Sequence, residues 1–299
     1  MSPHGSQRTL ATLTGLTAIL MWAALGLMTA ASGRVPAFQM NAMAFGISGV
    51  VATVWLAASG RISVLRQPPR VWALGVGGLF GFHALYFTSL RLAPPVEANL
   101  VNYTWPLLIV VFSGLLPGER LRAHHVIGAL LGLLGAAAIV TKGQGLTIDP
   151  AHVGGYLAAC ASALTWAGYS ILSRRMGAVP TATVAGFCLV TAILSALCHL
   201  AFETTVWPEG ATQWAAVVGL GLFPVGLAFF VWDHGVKRGD IQVLGAASYL
   251  SPLLSTLLLI LAGWGAFTLP VGFAAVAITA GALVASKDMI LRRRASGEA

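Results

Sequence analysis

The chain has 299 residues, of which 57% are hydrophobic and only 9% carry a charged side chain. An ordinary soluble domain carries roughly 25% charged residues, so this composition excludes a water-facing globular surface. The formal charge of +8 does not indicate nucleic-acid binding, because the basic residues lie in short clusters between apolar runs and form no patch. We therefore predict a membrane protein that has the lipid bilayer and no nucleic acid as a partner.

The apolar residues recur in runs along the whole length, with a mean hydropathy of +0.83. A helix needs about 20 apolar residues to cross the hydrocarbon core. The sequence contains ten runs of about this length and therefore predicts an all-α membrane protein with ten transmembrane helices. The predicted helices cover 10–31, 37–58, 71–90, 96–116, 126–141, 153–172, 182–202, 214–232, 241–263 and 269–285.

The basic residues predict the orientation of these helices. With the N-terminus in the cytoplasm, 14 of the 17 lysines and arginines fall on the cytoplasmic side. Only Arg34, Arg91 and Lys142 fall on the other side. Cytoplasmic loops carry such an excess of positive charge. The distribution predicts a multi-pass protein with both termini in the cytoplasm.

The two halves of the chain resemble each other. Trp22 lies fourteen residues before a proline, and Trp166 lies fourteen residues before another, at an offset of 144. The stretch 103–108, YTWPLL, matches 249–254, YLSPLL, at an offset of 146. These matches predict that the chain is a duplicated five-helix unit.

The duplication predicts an inverted arrangement. A unit of five helices crosses the membrane an odd number of times, so its second copy must enter from the opposite face. We assign residues 1–145 to the first repeat and residues 146–299 to the second, and expect a central cavity between them. Inverted repeats of this kind are a recurrent plan among secondary transporters.

Two prolines occupy equivalent places in the repeats. Pro106 lies near the middle of the fourth predicted helix and Pro252 near the middle of the ninth. Each proline leaves the carbonyl four residues earlier, at Asn102 or Ser248, without its helical donor. These prolines are interpreted either as structural kinks or as bends that shape and gate a central site.

The fourth predicted helix carries a polar stripe. Asn99, Asn102, Tyr103 and Pro106 follow helical i, i+3, i+4, i+7 spacing and so share one face. That face is unsuited to lipid. It predicts either the wall of a polar pocket or hydrogen bonds between helices, which contribute about 0.6 kcal/mol each in membranes.

His83 is the only ionisable side chain well inside a predicted helix, and Tyr86 lies on the same face. An ionisable group within the membrane is a functional hypothesis by default. The alternative is a buried neutral histidine that bonds a neighbouring carbonyl. Because no carboxylate is predicted at mid-span, facilitated transport is at least as well supported as a proton relay.

Several aromatic side chains lie too deep in their predicted helices to belong to an interfacial belt. Trp22, Trp105, Trp166 and Tyr169 are of this kind. A cavity lined by rings would suit a planar apolar substrate, since aromatic pairs contribute about 0.5–1.5 kcal/mol beyond burial. Packing of the helix core is the alternative.

Several motifs resemble a known family. The stretches 102–108 and 116–121, followed by Gly128 and Gly135, are similar to the repeat signature of EamA-type exporters of the drug/metabolite transporter superfamily. The resemblance covers residues 10–291 and implies ten helices in two inverted repeats. It has one departure, because the Gly-Glu-Arg motif around Glu119 has no counterpart in the second half. Glu119 is therefore expected to pack against or cap a helix, not to bind substrate.

Within that superfamily, the run 83–106 is similar to bacterial inner-membrane exporters of aromatic amino acids. The resemblance implies export of phenylalanine, tyrosine or tryptophan by alternating access at a central aromatic and amide-lined site. We expect a functional monomer in the bacterial inner membrane. The predicted substrate-binding residues are His83, Tyr86, Asn99, Asn102, Tyr103, Trp105, Trp166 and Tyr169, and the predicted kink residues are Pro106 and Pro252.

Two other functions are the alternatives to amino-acid export. A multidrug or organic-cation exporter of the same fold would want a partner charge or a fuller aromatic cage. An intramembrane enzyme lacks support, because the sequence has no H-E-x-x-H, no G-x-S-x-G and no phosphate-binding glycine loop. Cys160, Cys188 and Cys198 show no paired ligand spacing. The sequence therefore predicts no enzyme activity, no cofactor and no metal.

Overall fold

A computed structural model describes residues 3–144, 149–263 and 265–289. These residues form helices and connecting turns, and they contain no β-strand. The all-α membrane fold predicted from composition is therefore confirmed. The predicted boundary between residues 145 and 146, Trp264 and the basic cluster at 292–294 lie outside the described residues.

The α-helices differ widely in length. In the first half they are α1 (Pro3–Ala23), α2 (Leu25–Ala31), α3 (Ala37–Ala58), α4 (Pro69–Leu92), α5 (Pro95–Asn102), α6 (Trp105–Ser113) and α7 (Ala123–Val140). In the second half they are α8 (Val153–Arg175), α9 (Val184–Phe202), α10 (Gly210–Leu222), α11 (Ala228–Arg238), α12 (Ile241–Ala247), α13 (Leu250–Leu261) and α14 (Leu269–Ala285). Short 3-10 helices cover Ile62–Leu65, Pro150–His152 and Thr181–Thr183, and a π-helical turn covers Phe223–Leu227.

Helical structure occupies each of the ten predicted segments, although several segments are interrupted. Within the described residues, seven stretches are long and apolar enough to cross a membrane. They are Ser6–Ala31, Ala37–Ala58, Pro69–Leu92, Ala123–Val140, Thr181–Phe202, Gly210–Arg238 and Ile241–Leu261. α14 is apolar but shorter than these seven stretches. The α5–α6 segment and α8 are not among the stretches that are long and apolar enough. Ten crossings therefore remain a prediction.

The eighth predicted helix is longer than expected. The sequence pattern ended it at residue 232, whereas the continuous stretch runs from Gly210 to Arg238. The π-helical turn Phe223–Leu227 lies within it and locally widens the helix. Two charged side chains in its last turns, Asp233 and Lys237, pair with each other at 2.8 Å. Asp233 lies one residue beyond the predicted end and within the last turns of the observed stretch.

The two halves of the chain interleave. α7 packs against α14, α3 against α9, α4 against α8, and α1 against α11. Each of these pairs joins one helix from the first half to one from the second. The largest buried apolar cluster consequently draws on both halves, with Phe45 and Trp105 from the first and Trp166 and Trp232 from the second.

Glycines allow α7 and α14 to approach closely. A Cβ atom added at Gly128 would lie 2.5 Å from the carbonyl oxygen of Gly281, and one added at Gly281 would lie 2.5 Å from that of Gly128. Without a strong hydrophobic force between helices in lipid, such backbone contact through small residues is a principal source of association.

We expect Gly128→Ala to destabilise the protein by about 1–3 kcal/mol, because the added methyl group overpacks the contact with Gly281. The matched control is Gly77→Ala, since a Cβ there meets nothing within 4 Å. Alanine should stabilise that helix slightly. Melting temperatures of the purified variants in detergent would check this, and an unchanged melting temperature for Gly128→Ala would contradict the close approach.

Candidate functional site

Two helix interruptions lie at equivalent places in the two halves. α5 ends at Asn102 and α6 begins at Trp105, while α12 ends at Ala247 and α13 begins at Leu250. Pro106 and Pro252 are the second and third residues of the helices that follow. A proline cannot donate to the carbonyl one turn before it, and this missing bond accounts for a break at both places.

An aromatic cluster surrounds Trp22 in the interior. The ring centroid of Trp22 lies 5.1 Å from that of Trp232 and 5.9 Å from that of Trp166. Trp105 and Phe229 lie 6.3 and 6.2 Å from it, both edge-to-face. We call these rings and their neighbours the aromatic cluster. Its members are Trp22, Phe45, Phe82, Trp105, Trp166, Phe229 and Trp232.

The indole N–H groups in this cluster have partners. Trp22 Nε1 donates to the carbonyl of Pro224 at 3.1 Å, and Pro224 belongs to the π-helical turn. Trp232 Nε1 donates to Ser170 Oγ at 3.2 Å. Buried indoles need such partners. The first bond ties α1 to the irregular backbone of the second half.

The predicted aromatic residues come together in this cluster. Trp166 lies 6.3 Å from Trp105, 5.4 Å from Phe82 and 5.3 Å from Tyr169, measured between ring centroids. Trp105, Trp166 and Tyr169 are all buried. The rings touch one another where the sequence predicts a central cavity, so in this structure the cluster is packed ring against ring.

Phe45, Phe229 and Trp232 belong to the cluster but were missed by the sequence reasoning. Phe45 stacks on Phe229 at 5.4 Å, and Trp232 stacks on Trp166 at 6.2 Å. A phenylalanine inside an apolar helix carries no distinguishing signal, and Trp232 stood at the end of its predicted helix. Only the shape of the folded chain shows that these residues face the same interior.

His83 lies beside the cluster on α4. Its Nδ1 is 2.7 Å from the carbonyl oxygen of Leu79. A carbonyl can only accept, so Nδ1 carries the proton and Nε2 of the neutral ring is an acceptor. The imidazole also meets the rings of Phe45 and Phe82 edge-on, each at 5.1 Å. The interpretation of His83 as a histidine bonded to a neighbouring carbonyl thus describes its geometry.

The predicted polar stripe is interrupted by the break between α5 and α6, and its two amides bond side chains of α4 and α8. Tyr86 on α4 donates a short hydrogen bond to Asn99 Oδ1. Asn102 is buried and accepts from Ser162 Oγ on α8 at 2.6 Å. Tyr103 lies half-buried in the break that follows α5. Both amides of the stripe therefore hydrogen-bond other helices, as the alternative interpretation expected, and they do so beside a helix break.

A network of charged side chains joins the two halves at the predicted cytoplasmic end. Glu119, which is nearly buried, bonds Arg8 at 3.0 Å and makes a short ion pair with Arg174. Arg8 also bonds Asp240 at 3.1 Å. Arg174 donates further to the carbonyls of Val236 and Gly239, at 2.7 and 2.9 Å. The expectation that Glu119 only packs or caps a helix omitted this network, because its partners are remote in sequence.

A second charged group joins the halves at the opposite end. The buried carboxylate of Glu203 bonds Arg91 at 3.1 Å and His199 at 3.1 Å. It also accepts from the backbone N–H groups of Phe38 and Gln39, each at 3.0 Å. Glu203 thereby caps the start of α3, where free N–H groups favour an anion.

A cluster of possible metal ligands lies near the start of α7. Atoms of His124, His125 and Asp288 lie within 4.8 Å of one another. However, His125 Nδ1 accepts from the backbone N–H of Arg122 at 3.2 Å, so its other ring nitrogen carries the proton when the ring is neutral. The guanidinium of Arg122 also bonds Asp288 at 2.6 Å. We assign no metal role to these residues.

The sequence matches the EamA-like transporter family in two stretches, residues 9–141 and residues 153–287. The chain belongs to the EamA-like transporter family. The resemblance predicted from the motifs is thus confirmed, and so is the prediction of a transporter and not an enzyme. The transporter is a multi-pass protein of the inner membrane.

Several known proteins are similar to this transporter. The aromatic amino acid exporter YddG of Ancylobacter novellus is 53% identical over 289 residues, which cover 96% of this chain and 99% of that protein. The protein of the same name from Escherichia coli is 26% identical and covers 83% of this chain and 87% of its own length. A solved crystal structure that is 54% identical superposes with a TM-score of 0.89, over 95% of this chain and 98% of that one.

We expect Glu119→Gln to destabilise the transporter by about 1–3 kcal/mol, because a buried group loses its charge while Arg174 stays in place. The contact with Arg8 contributes less, since Arg8 is partly exposed and screened by water. Asp288→Asn is the control, because it removes the more exposed pair with Arg122. Equal melting temperatures for both variants in detergent would refute a dominant role for Glu119.

Proposed function

We propose that this transporter exports aromatic amino acids across the inner membrane by alternating access, with the substrate bound at the aromatic cluster. The observation that carries the proposal is the cluster itself, in which seven aromatic rings from both halves meet in the interior. The similar protein from Ancylobacter novellus bears the name of an aromatic amino acid exporter and covers nearly the whole chain.

The cluster suits a substrate that is itself an aromatic ring. Its centroid distances of 5.9 Å between Trp22 and Trp166 and 5.4 Å between Phe45 and Phe229 are those of favourable edge-to-face and stacked pairs. A substrate ring that enters the cluster replaces such contacts by similar ones when the helices separate. Charged ends of the substrate must exchange water for hydrogen bonds. His83 Nε2 and the amides of Asn99 and Asn102 lie on helices that border the cluster and supply that polarity.

The proposed architecture is two inverted five-helix repeats with ten crossings. It is supported by the family match in two stretches, 9–141 and 153–287. The equivalent breaks after α5 and α12 and the pairing of α7 with α14 and of α3 with α9 are what a symmetric duplication would produce. In this proposal Pro106 and Pro252 let the broken helices bend as the two halves rock.

The proposed orientation places both termini in the cytoplasm. The excess of basic residues on one side supports it. Under this orientation, the Glu119 network closes the cytoplasmic end and the Glu203 group closes the opposite end. Alternating access requires that these two groups open in turn. We propose that one monomer, without nucleic acid, is sufficient for this cycle.

Organic-cation export is less well supported. A permanent cation would want an unpaired buried carboxylate. Asp233 is buried, but Lys237 pairs with it at 2.8 Å and neutralises its charge. Glu97 Oε2 is buried and has no hydrogen-bond partner among the described residues, but Glu97 lies in the first turn of α5, where the helix N-terminus favours an anion. Aromatic rings attract both organic cations and neutral rings, so flux measurements with both kinds of substrate distinguish the two functions.

The decisive experiment is flux of radiolabelled tryptophan into liposomes that contain the purified protein, with equal pH on both sides and empty liposomes as the control. We expect saturable uptake that unlabelled phenylalanine competes away. Uptake of an organic cation such as tetraphenylphosphonium, without uptake of tryptophan, would replace amino-acid export by cation export.

Trp166→Ala should raise KM for tryptophan at least about tenfold, because Trp166 contacts several rings and each contact contributes about 0.5–1.5 kcal/mol. Trp166→Phe should retain part of the affinity. Trp207→Ala is the control, since that tryptophan is exposed at the surface. Intact transport with unchanged selectivity in Trp166→Ala would show that the substrate binds elsewhere.

His83→Gln should leave the pH profile of flux between pH 5.5 and 8 unchanged. In the proposed mechanism His83 supplies an acceptor and does not carry a proton, and glutamine preserves an acceptor. Initial rates with equal pH on both sides would be compared with those of the wild type. A pH dependence that is present in the wild type and absent from His83→Gln would instead assign proton transfer to this residue.

A further inference from the structure

A narrow crevice lies next to the aromatic cluster on the side of the predicted cytoplasmic end, and its free volume of about 10 Å³ is close to the space that one water molecule needs. Tyr169 forms part of its lining and contacts Trp166 of the cluster at 5.3 Å between ring centroids. Its other polar lining residues are Ser173, Asp233 and Lys237. The rest of the lining is apolar and includes Phe187. The crevice thus combines opposite charges with an apolar wall.

The charged pair in the crevice is deeply buried. Lys237 Nζ lies 2.8 Å from Asp233 Oδ2, and the two side chains are only 6% and 2% exposed. Removal of two charges from water is costly, and the attraction between them often fails to offset the cost. Hydrophobic residues of similar size would serve packing equally well. The presence of the pair within a membrane helix therefore calls for a functional explanation.

Each member of the pair retains bonding capacity. Asp233 Oδ2 accepts hydrogen bonds from Lys237 Nζ and, at 2.6 Å, from Thr181 Oγ1. Neither of these two bonds involves the other carboxylate oxygen, Oδ1. Lys237 also donates to the carbonyl of Val179 at 2.9 Å. An ammonium group has three protons, so these two bonds leave one for a further acceptor.

The hydroxyl group of Tyr169 is a third polar group in the crevice that could bond a ligand. Tyr169 is only 2% exposed. Its hydroxyl group interacts with the side chain of Ser173, but within the described part of the chain it forms no hydrogen bond of standard geometry. Buried polar groups are nearly always well bonded, so a hydroxyl with only this weak contact retains the capacity to bond a ligand in the crevice.

We propose that this crevice binds the zwitterionic head group of the amino-acid substrate. The carboxylate of the substrate accepts from Lys237 and Tyr169, its ammonium group donates to Asp233, and its side chain lies along the apolar wall. This proposal rests on the proposed function. With the proposed orientation, the crevice is the first site that a cytosolic substrate meets, and Tyr169 leads from it into the aromatic cluster.

The crevice must widen to admit a substrate. Ligand pockets usually enclose about 300–1,000 Å³, whereas the free volume of the crevice in this structure is about 10 Å³. The lining comes from α4, α8, α9 and α11, so separation of α4 from α11 would enlarge it. The Glu119 network lies at the same end, and in the proposed cycle it opens together with the crevice.

A purely structural role for the pair is the competing explanation. Through Thr181 and Val179, Asp233 and Lys237 hold the connection between α8 and α9. The two explanations differ for Tyr169→Phe. Loss of a buried hydroxyl that has no hydrogen bond of standard geometry should leave the fold unchanged or more stable. A substrate that bonds this hydroxyl should bind more weakly without it.

We expect Tyr169→Phe to raise KM for tryptophan about threefold to tenfold with no fall in melting temperature, since a hydrogen bond to a charged group contributes about that factor. Thr181→Val is the matched control, because it weakens the link to α9 and leaves both charges and the hydroxyl in place. An unchanged KM in Tyr169→Phe would overturn the contact between its hydroxyl and the substrate.

The charges are tested with three competitors of tryptophan flux: tryptophan itself, tryptamine without the carboxylate, and indole-3-propionate without the ammonium group. Wild type should prefer tryptophan. The double variant Asp233→Asn/Lys237→Met removes both charges and leaves no unpaired buried charge. It should lower the preference for tryptophan over the other two compounds about tenfold or more, because the hydrogen bonds to charged groups are lost.

The outcomes separate the two proposals. If wild type carries no aromatic amino acid, the proposed function fails. If wild type carries tryptophan and the double variant retains both its KM and its preference among the three competitors, the function stands and the zwitterion site is wrong. The same protein samples serve both comparisons, and melting temperatures exclude variants that do not fold.

Discussion

The structure depends on one constraint: inside a membrane, every backbone polar group must find its partner within the protein. Irregular backbone is therefore confined to places that other helices cover. The break at Tyr249 is fully buried, the break at Tyr103 is half-buried, and the π-helical turn buries its central residues Pro224, Val225 and Gly226. The bond from Trp22 to the carbonyl of Pro224 shows how a side chain from one half supports the irregular backbone of the other.

The same constraint separates the chemistry of the molecule into layers. Aromatic rings fill the middle, where they pack without unpaired charges. The ionic groups around Glu119 and Glu203 lie at the two ends, and each joins helices from both halves. Such groups are strong enough to hold an end closed but can exchange partners with water when it opens. A packed centre between two ionic ends is an arrangement in which access can alternate.

The buried pair of Asp233 and Lys237 differs from these end groups. It lies in a crevice next to the cluster, not in a contact that only joins the halves. Its position links the charged end of the molecule to the aromatic centre through Tyr169. The charged pair and the neighbouring aromatic cluster thus match the two parts of an aromatic amino acid, its charged head group and its ring.

The sequence by itself determined the membrane class, the family and the place of nearly every helix. These properties follow from local composition, since about 20 apolar residues in a row can only be a buried or a spanning helix. The depth of the tryptophans and the breaks near Pro106 and Pro252 also follow from the local sequence, because a proline removes a backbone donor wherever it stands in a helix. Tertiary structure alone decided that Phe45, Phe229 and Trp232 complete the cluster. It also decided that Asn99 and Asn102 bond other helices, and that Glu119 reaches Arg8 and Arg174. These contacts join residues far apart in the chain, and hydropathy and spacing carry no information about which faces of distant helices meet.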